Sequence, residues 1–262
     1  MLGLFKSTKP LIESDARDWM FDVFEWSMQQ FDRDFFFRQS QLVLPNNQFF
    51  PGRADGVQGM AELVFGQVAR YAGIAHWPTE VAAFDQCQLD SGQPVRIAPP
   101  LRSADQPGEL QSDRAVARLR IPYNPQQVAN PEGLIASFAH VVAHYLGQFA
   151  NEPPPGGAEY WPHTTEMVAV FLGFGLMFAN SAYTFRGGCG SCYNPAANRD
   201  AYLTERQATY ALAIFALLKG LDRKQVSPNL KSHLRGFYRQ ALREIEAQSR
   251  FRSLLQPTPQ LA

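Results

Sequence analysis

The sequence predicts an α+β fold, and three observations predict it. Short alternating apolar segments are confined to the first half. Helical periodicity runs almost unbroken from residue 131 onward. With 45% hydrophobic residues and 33 aromatics (4 Trp, 9 Tyr, 20 Phe) among 262 residues, there is ample material for one core. Strands first and helices after, rather than in alternation, are the mark of α+β organisation. We read 1–262 as a single domain in three parts: an N-terminal amphipathic helix in 1–36, a strand-rich part over 37–125, and a helical part over 126–262.

Residues 15–32 predict the first helix. Trp19, Met20, Val23, Phe24, Trp26, Met28 and Phe31 form a broad apolar stripe, and acids cluster toward the N-terminal turns. A short strand over 41–44 stops at Pro45, and a second helix over 57–73 ends on Gly73, a residue suited to the C′ position. Strands are predicted at 81–89, 95–98 and 115–121, with a loop rich in Pro, Gly and Asp at 99–113. In the last strand Ala117, Leu119 and Ile121 alternate with Arg118 and Arg120, which gives a half-buried strand with a cationic outer face. Further helices are predicted at 131–149, 162–185, 203–219 and 228–250, joined by loops at 150–161 and 186–200.

Composition excludes several classes. The 24 Lys and Arg balance 24 Asp and Glu, so the bulk positive charge of a nucleic-acid binder or a polybasic membrane protein is missing. Three cysteines make no disulfide framework and point to a reducing, cytoplasmic setting. The start has only a five-residue apolar stretch before Lys6, too short for a secretory signal. The longest apolar run, 167–179, contains Gly173 and Gly175 and falls short of the roughly 20 residues of a membrane span, so it reads as a core helix.

The chemistry concentrates on the helix over 131–149. His140 and His144 lie one turn apart and point the same way, so both imidazoles reach one metal ion. Gly133, Ala136, Ser137, Ala143 and Gly147 make their face small, with room for an ion and a ligand. The plainer reading is two polar residues on a helix edge. A third ligand is offered by the next helix, where Glu166 sits in the first turns ahead of a wholly apolar run. A first-turn acid that complements the helix dipole accounts for the same residue. His163 is a fourth ligand, a supporting partner or an ordinary surface histidine.

These blocks resemble an uncharacterised bacterial family with a zincin-like metalloprotease pattern. In that family one helix carries HExxH, and the next opens with a histidine followed by Thr-Asp-Leu and Val-Phe-Leu-Gly. This chain has His140-Val-Val-Ala-His144, His163-Thr-Thr-Glu166-Met, Val170-Phe-Leu-Gly173 and Ala179-Asn-Ser-Ala182. The segments Leu42-Val-Leu-Pro-Asn-Asn-Gln-Phe-Phe-Pro51 and 202–215 also match, so the resemblance spans about residues 40–220. It implies a zincin-like fold and a zinc ion held by His140, His144 and Glu166. It also implies a peptide or protein ligand along the strand ending near Ile121.

Two departures qualify that expectation. Valine stands at 141, where the motif has the glutamate that activates the metal-bound water. Loss of a general base costs on the order of 10²–10⁴ in rate. Glu166 replaces Asp, a change that a zinc site absorbs. The expected protein is therefore degenerate: metal-binding, without peptidase activity, and with no catalytic residue assigned. Two alternatives stand beside it. One is an active zinc hydrolase with another base, for which Glu152, Glu159 and His163 lie in or beside the connecting loop. The other is a metal-free interaction protein.

Two features remain. Cys189-Gly-Ser-Cys192 in a Gly-rich loop is a tight turn with incidental thiols, a reversible disulfide or half of a zinc site; Cys87 is distant. The ends are also oppositely charged. Residues 11–35 hold seven acids against Arg17 and Arg33, a balance of −5, and 219–252 hold nine bases against three acids, a balance of +6. These are either two solvated helix faces that dock on each other or, for 231–252, a basic helix that meets an acidic partner.

Overall fold

A computed structural model describes residues 9–84, 95–104, 118–182 and 201–256. Its first helix, α1 (Ser14–Gln30), buries Met20, Phe21, Val23, Phe24, Trp26 and Met28, the stripe expected from the sequence. It ends two residues early because Asp32 adopts φ 67° and its carboxylate caps Phe35 N at 2.9 Å, which starts a separate helix α2 (Arg33–Arg38). The segment 41–44 is not a strand, but Val43 N donates to Gly173 O at 3.0 Å. Helix α3 (Gly56–Ala72) ends as predicted, on Gly73 at φ 79°.

Among the described residues the sheet is smaller than the sequence suggests; residues 85–89 and 115–117 of the predicted strands lie outside them. β1 (Thr79–Ala83) and β2 (Leu119–Tyr123) form one parallel pair, with Thr79 opposite Leu119 and Ala83 opposite Tyr123. The predicted strand at 95–98 is irregular backbone instead. Next to it Arg102 lies buried, donating to Ala72 O at 2.8 Å and to Ser40 Oγ at 2.9 Å. This stretch is therefore organised around a side chain rather than a ladder.

Helix α4 (Pro131–Gln148) starts with Pro131 at its first position and with the Asn130 side chain accepting from Gly133 N at 3.1 Å. The long apolar helix expected over 162–185 is three pieces: α5 (Trp161–Ala169), a π-helical turn (Val170–Phe174) and α6 (Gly175–Ser181). The stretch Ala158–Ser181 is long and apolar enough to cross a bilayer by length and composition. However, 94% of its most apolar window is buried inside the fold, which is the placement of a core helix. Helix α7 (Glu205–Leu218) opens with a capping box between Thr204 and Gln207, and ten of its residues are buried. A short helix α8 (Arg223–Val226) precedes the predicted 228–250 helix, which is itself α9 (Leu234–Glu246) followed by the start of α10 (Ser249–Leu255). One hydrophobic cluster runs from Leu11 to Leu254, with α5 to α7 at its centre. The chain is thus α+β, mostly helical, with a minor sheet. Cys87, Cys189 and Cys192 lie outside the described residues.

Candidate functional site

The helix pair α4–α5 positions the candidate side chains. Their approach is close because Gly147 has no side chain: a Cβ there would lie 2.7 Å from Cη2 of Trp161. The small face of α4, expected to leave room for an ion and a ligand, is thus filled at this end by the Trp161 indole. The same indole donates its N–H to Nδ1 of His144 at 3.0 Å, and Gln148 lies 3.0 Å from the Nε2 of that ring. A neutral imidazole has one lone pair and one N–H. With Nδ1 accepting from Trp161, Nε2 carries the proton, so the Gln148 amide, whose Nε2 faces the ring, accepts that N–H only when it turns to present Oε1. Burial lowers the His144 pKa below its usual value, so the ring is neutral.

Glu166 is fully buried. Its Oε1 accepts from Tyr202 N at 3.2 Å and its Oε2 from Leu203 N at 2.8 Å. These amides lie immediately ahead of α7, at the positive end of its dipole, where a carboxylate is favoured. The sequence placed this acid against the dipole of its own helix; the structure places it against that of a later one.

His140 is half-buried, with its ring nearly parallel to that of Tyr202 at a centroid separation of 6.2 Å. His163 lies 5.9 Å from the Tyr202 ring, 6.0 Å from Tyr160 and 6.5 Å from Trp19. Its Nδ1 is buried with no hydrogen-bond partner among the described residues. The loop between α4 and α5 is tied down by α1. Trp19 Nε1 donates to Pro155 O at 3.0 Å, Trp26 Nε1 to Glu152 O at 3.1 Å, and Asn151 N to Gln30 Oε1 at 2.8 Å. The Glu152 and Glu159 residues are exposed. Val141, at the position of the motif base, is half-buried and packs against the core.

His140, His144, His163 and Glu166 therefore share one neighbourhood, but it is organised by aromatic rings and main-chain amides. In this arrangement the three residues His140, His144 and Glu166 do not fit a zinc ion. The lone pair of His144 is used by Trp161, and each oxygen of Glu166 already accepts an amide N–H. A zinc ion there requires Trp161 to leave His144. No cluster of three His, Cys, Asp or Glu side chains with ligand geometry occurs among the described residues. Sequence reasoning missed Trp161 and Tyr202. The one available signal for Tyr202 was its place just before the Thr204-x-x-Gln207 capping box.

Comparisons with protein-family models, with curated proteins and with solved structures gave no match.

Proposed function

We propose that the chain is a degenerate zincin-like protein without peptidase chemistry, which acts by binding a peptide or protein partner on the imidazole–aromatic face of α4, α5 and the start of α7. The observation that carries this reading is the use made of the motif positions. Val141 supplies no base, and the carboxylate that would complete a metal site is committed to the amides of residues 202 and 203. The rings around the histidines are accessible: Tyr160 is 47% and Tyr202 43% exposed, although both are large aromatics. Half-exposed tyrosines over a rigid helix pair suit a recognition surface, where aromatic side chains contribute much of the contact energy.

A second reading is favoured by one feature, the buried Nδ1 of His163, which has no partner among the described residues and whose ring, like that of His140, lies near Tyr202. In that reading Trp161 swings away, and a zinc ion implied by the resemblance is held by His140, His144 and Glu166. Metal analysis after zinc-replete expression, on wild type and His140→Ala, separates the two. The first reading expects zinc well below one per chain in both. One zinc per chain that is lost in His140→Ala establishes the second. Peptidase assays should find wild type inactive, and hydrolysis by wild type overturns both readings. Ligands selected from a random peptide display library should lose binding in Tyr202→Ala. Ligands indifferent to Tyr202→Ala and Tyr160→Ala would place recognition elsewhere.

A further inference from the structure

A second concavity, away from the histidines, lies at the opposite end of α4. It is a cleft of about 600 Å³ between α3, the first two turns of α4 and the segment 45–53. That volume falls within the roughly 300–1,000 Å³ range of small-molecule sites. The two helical walls are apolar, with Met60 and Leu63 on α3 and Leu134 and Ile135 on α4, while the covering segment contributes Phe50 together with the polar Asn46 and Asn47. Arg53 is the one charged side chain among the lining residues, and it forms no ion pair with a described residue.

The covering segment is held in place. The Asn46 side chain accepts from Gln48 N at 3.0 Å and from Phe49 N at 3.2 Å, closing a local turn. Tyr71 donates its hydroxyl to Phe49 O at 2.9 Å. Gly52 adopts φ +103° and passes so near α3 that a Cβ would sit 3.2 Å from Cδ1 of Leu63. Three independent restraints thus preform the cleft and set Arg53 at its mouth.

We propose that this cleft binds a small amphiphile with an aliphatic body and a single anionic head, a medium-chain carboxylate, with Arg53 at the head group. Charge complementarity selects this occupant. A neutral apolar ligand leaves the lone guanidinium at the mouth unused, and a cationic one is repelled by it. An extended peptide needs main-chain partners along its length, and the two helical walls offer none because their amides are bonded internally. The inference is independent of the function proposed for the imidazole face.

Isothermal titration of the full chain with hexanoate, octanoate, decanoate and 1-octanol tests it. Each added methylene should tighten binding by about four-fold until the cleft is filled. Arg53→Gln should weaken octanoate by about two- to five-fold, the range of an exposed charge pair, and leave 1-octanol unchanged. Met60→Trp, which fills the wall at a half-buried position, should abolish both. The proposal is overturned by the absence of saturable binding, by affinity independent of chain length, or by octanoate binding insensitive to Arg53→Gln. Unchanged binding in a folded Met60→Trp places the ligand elsewhere and overturns it equally. Should Met60→Trp fail to fold, the Arg53→Gln comparison decides alone.

Discussion

Arg102 is 2% exposed and forms no ion pair with a described residue, and among those residues its charge is held by other means. It donates to Ala72 O, Phe31 O and Ser40 Oγ, and its guanidinium lies 4.1 Å from the ring centre of Phe35. Burial pushes its pKa down to about 9, which still leaves it a cation at neutral pH. Arg102→Met should destabilise the protein by about 3 kcal/mol in denaturant unfolding, because it strands three buried acceptors. A cost under about 1 kcal/mol would mean that water replaces the guanidinium. His144 is another residue whose ionisation is coupled to its surroundings. Burial lowers its folded-state pKa below the usual 6.5, so the unfolded chain takes up that proton first as pH falls. Its contribution to stability is complete above about pH 6.5 and is lost as pH drops through the folded-state value. Trp161→Phe removes the N–H that holds the lone pair and should raise the His144 pKa toward 6.5 in an NMR titration. An unchanged titration would show that the indole does not fix the tautomer.

At the scale of elements, the most informative feature is the break in the long apolar helix. Gly173 has φ +108°, and a Cβ on it would lie 2.1 Å from Gln41 O. Gly173→Ala combines a strained backbone with a main-chain clash and should cost at least about 3 kcal/mol, or prevent folding. Equal stability of wild type and variant would mean that the segment 41–43 moves aside freely. This break explains what was and was not legible in the sequence. Helices α3, α4 and α7 were legible from their apolar periodicity, with Gly73 marking the end of α3, and the structure shows that their caps are local: Gly73, Asn130-Pro131 and Thr204-x-x-Gln207 act within a few residues. The break at Gly173 is imposed by residues 41–43, and the turn at Asp32 separates helices whose apolar pattern is continuous. The site divides in the same way. That His140 and His144 share a face follows from spacing. The Trp161–His144 bond crosses a 12-residue loop between helices, and the Glu166 carboxylate reaches amides 36 residues away, so neither has a local signature. Glu166→Gln should lower stability by about 1.5–3 kcal/mol, since a carboxamide offers one acceptor where two amides need one each. A Glu166→Gln protein as stable as wild type would detach that carboxylate from the structural role assigned to it.

Across the whole molecule, the zero net charge conceals two opposed ends that meet. Arg250 on α10 pairs with Asp22 and, at 3.6 Å, with Glu25, and it donates to Asp18 O at 3.1 Å. Glu244 on α9 accepts from Leu11 N at 3.0 Å, and Arg33 donates to Leu254 O at 2.6 Å and Gln256 O at 2.7 Å. The acidic front and the basic tail therefore dock on one another in part, as the plainer reading of the charge asymmetry expects. Whether charge or apolar contact holds the ends together is decided by magnitude. The Arg250 side chain is 37% exposed and its acidic partners more so, which limits its pairs to about 0.2–1 kcal/mol, screened by salt. Leu254, 5% exposed against the same core, carries the cavity and transfer cost of a buried leucine, about 2–3 kcal/mol on truncation. Unfolding of Arg250→Ala and Leu254→Ala at low salt and at about 1 M NaCl should therefore separate them. The Arg250→Ala deficit should shrink toward zero at the higher concentration, where the screening length is about 3 Å. The Leu254→Ala deficit should be larger at both and insensitive to salt. A larger, salt-sensitive loss for Arg250→Ala would instead make the ion pairs the principal clasp between the two ends of the chain.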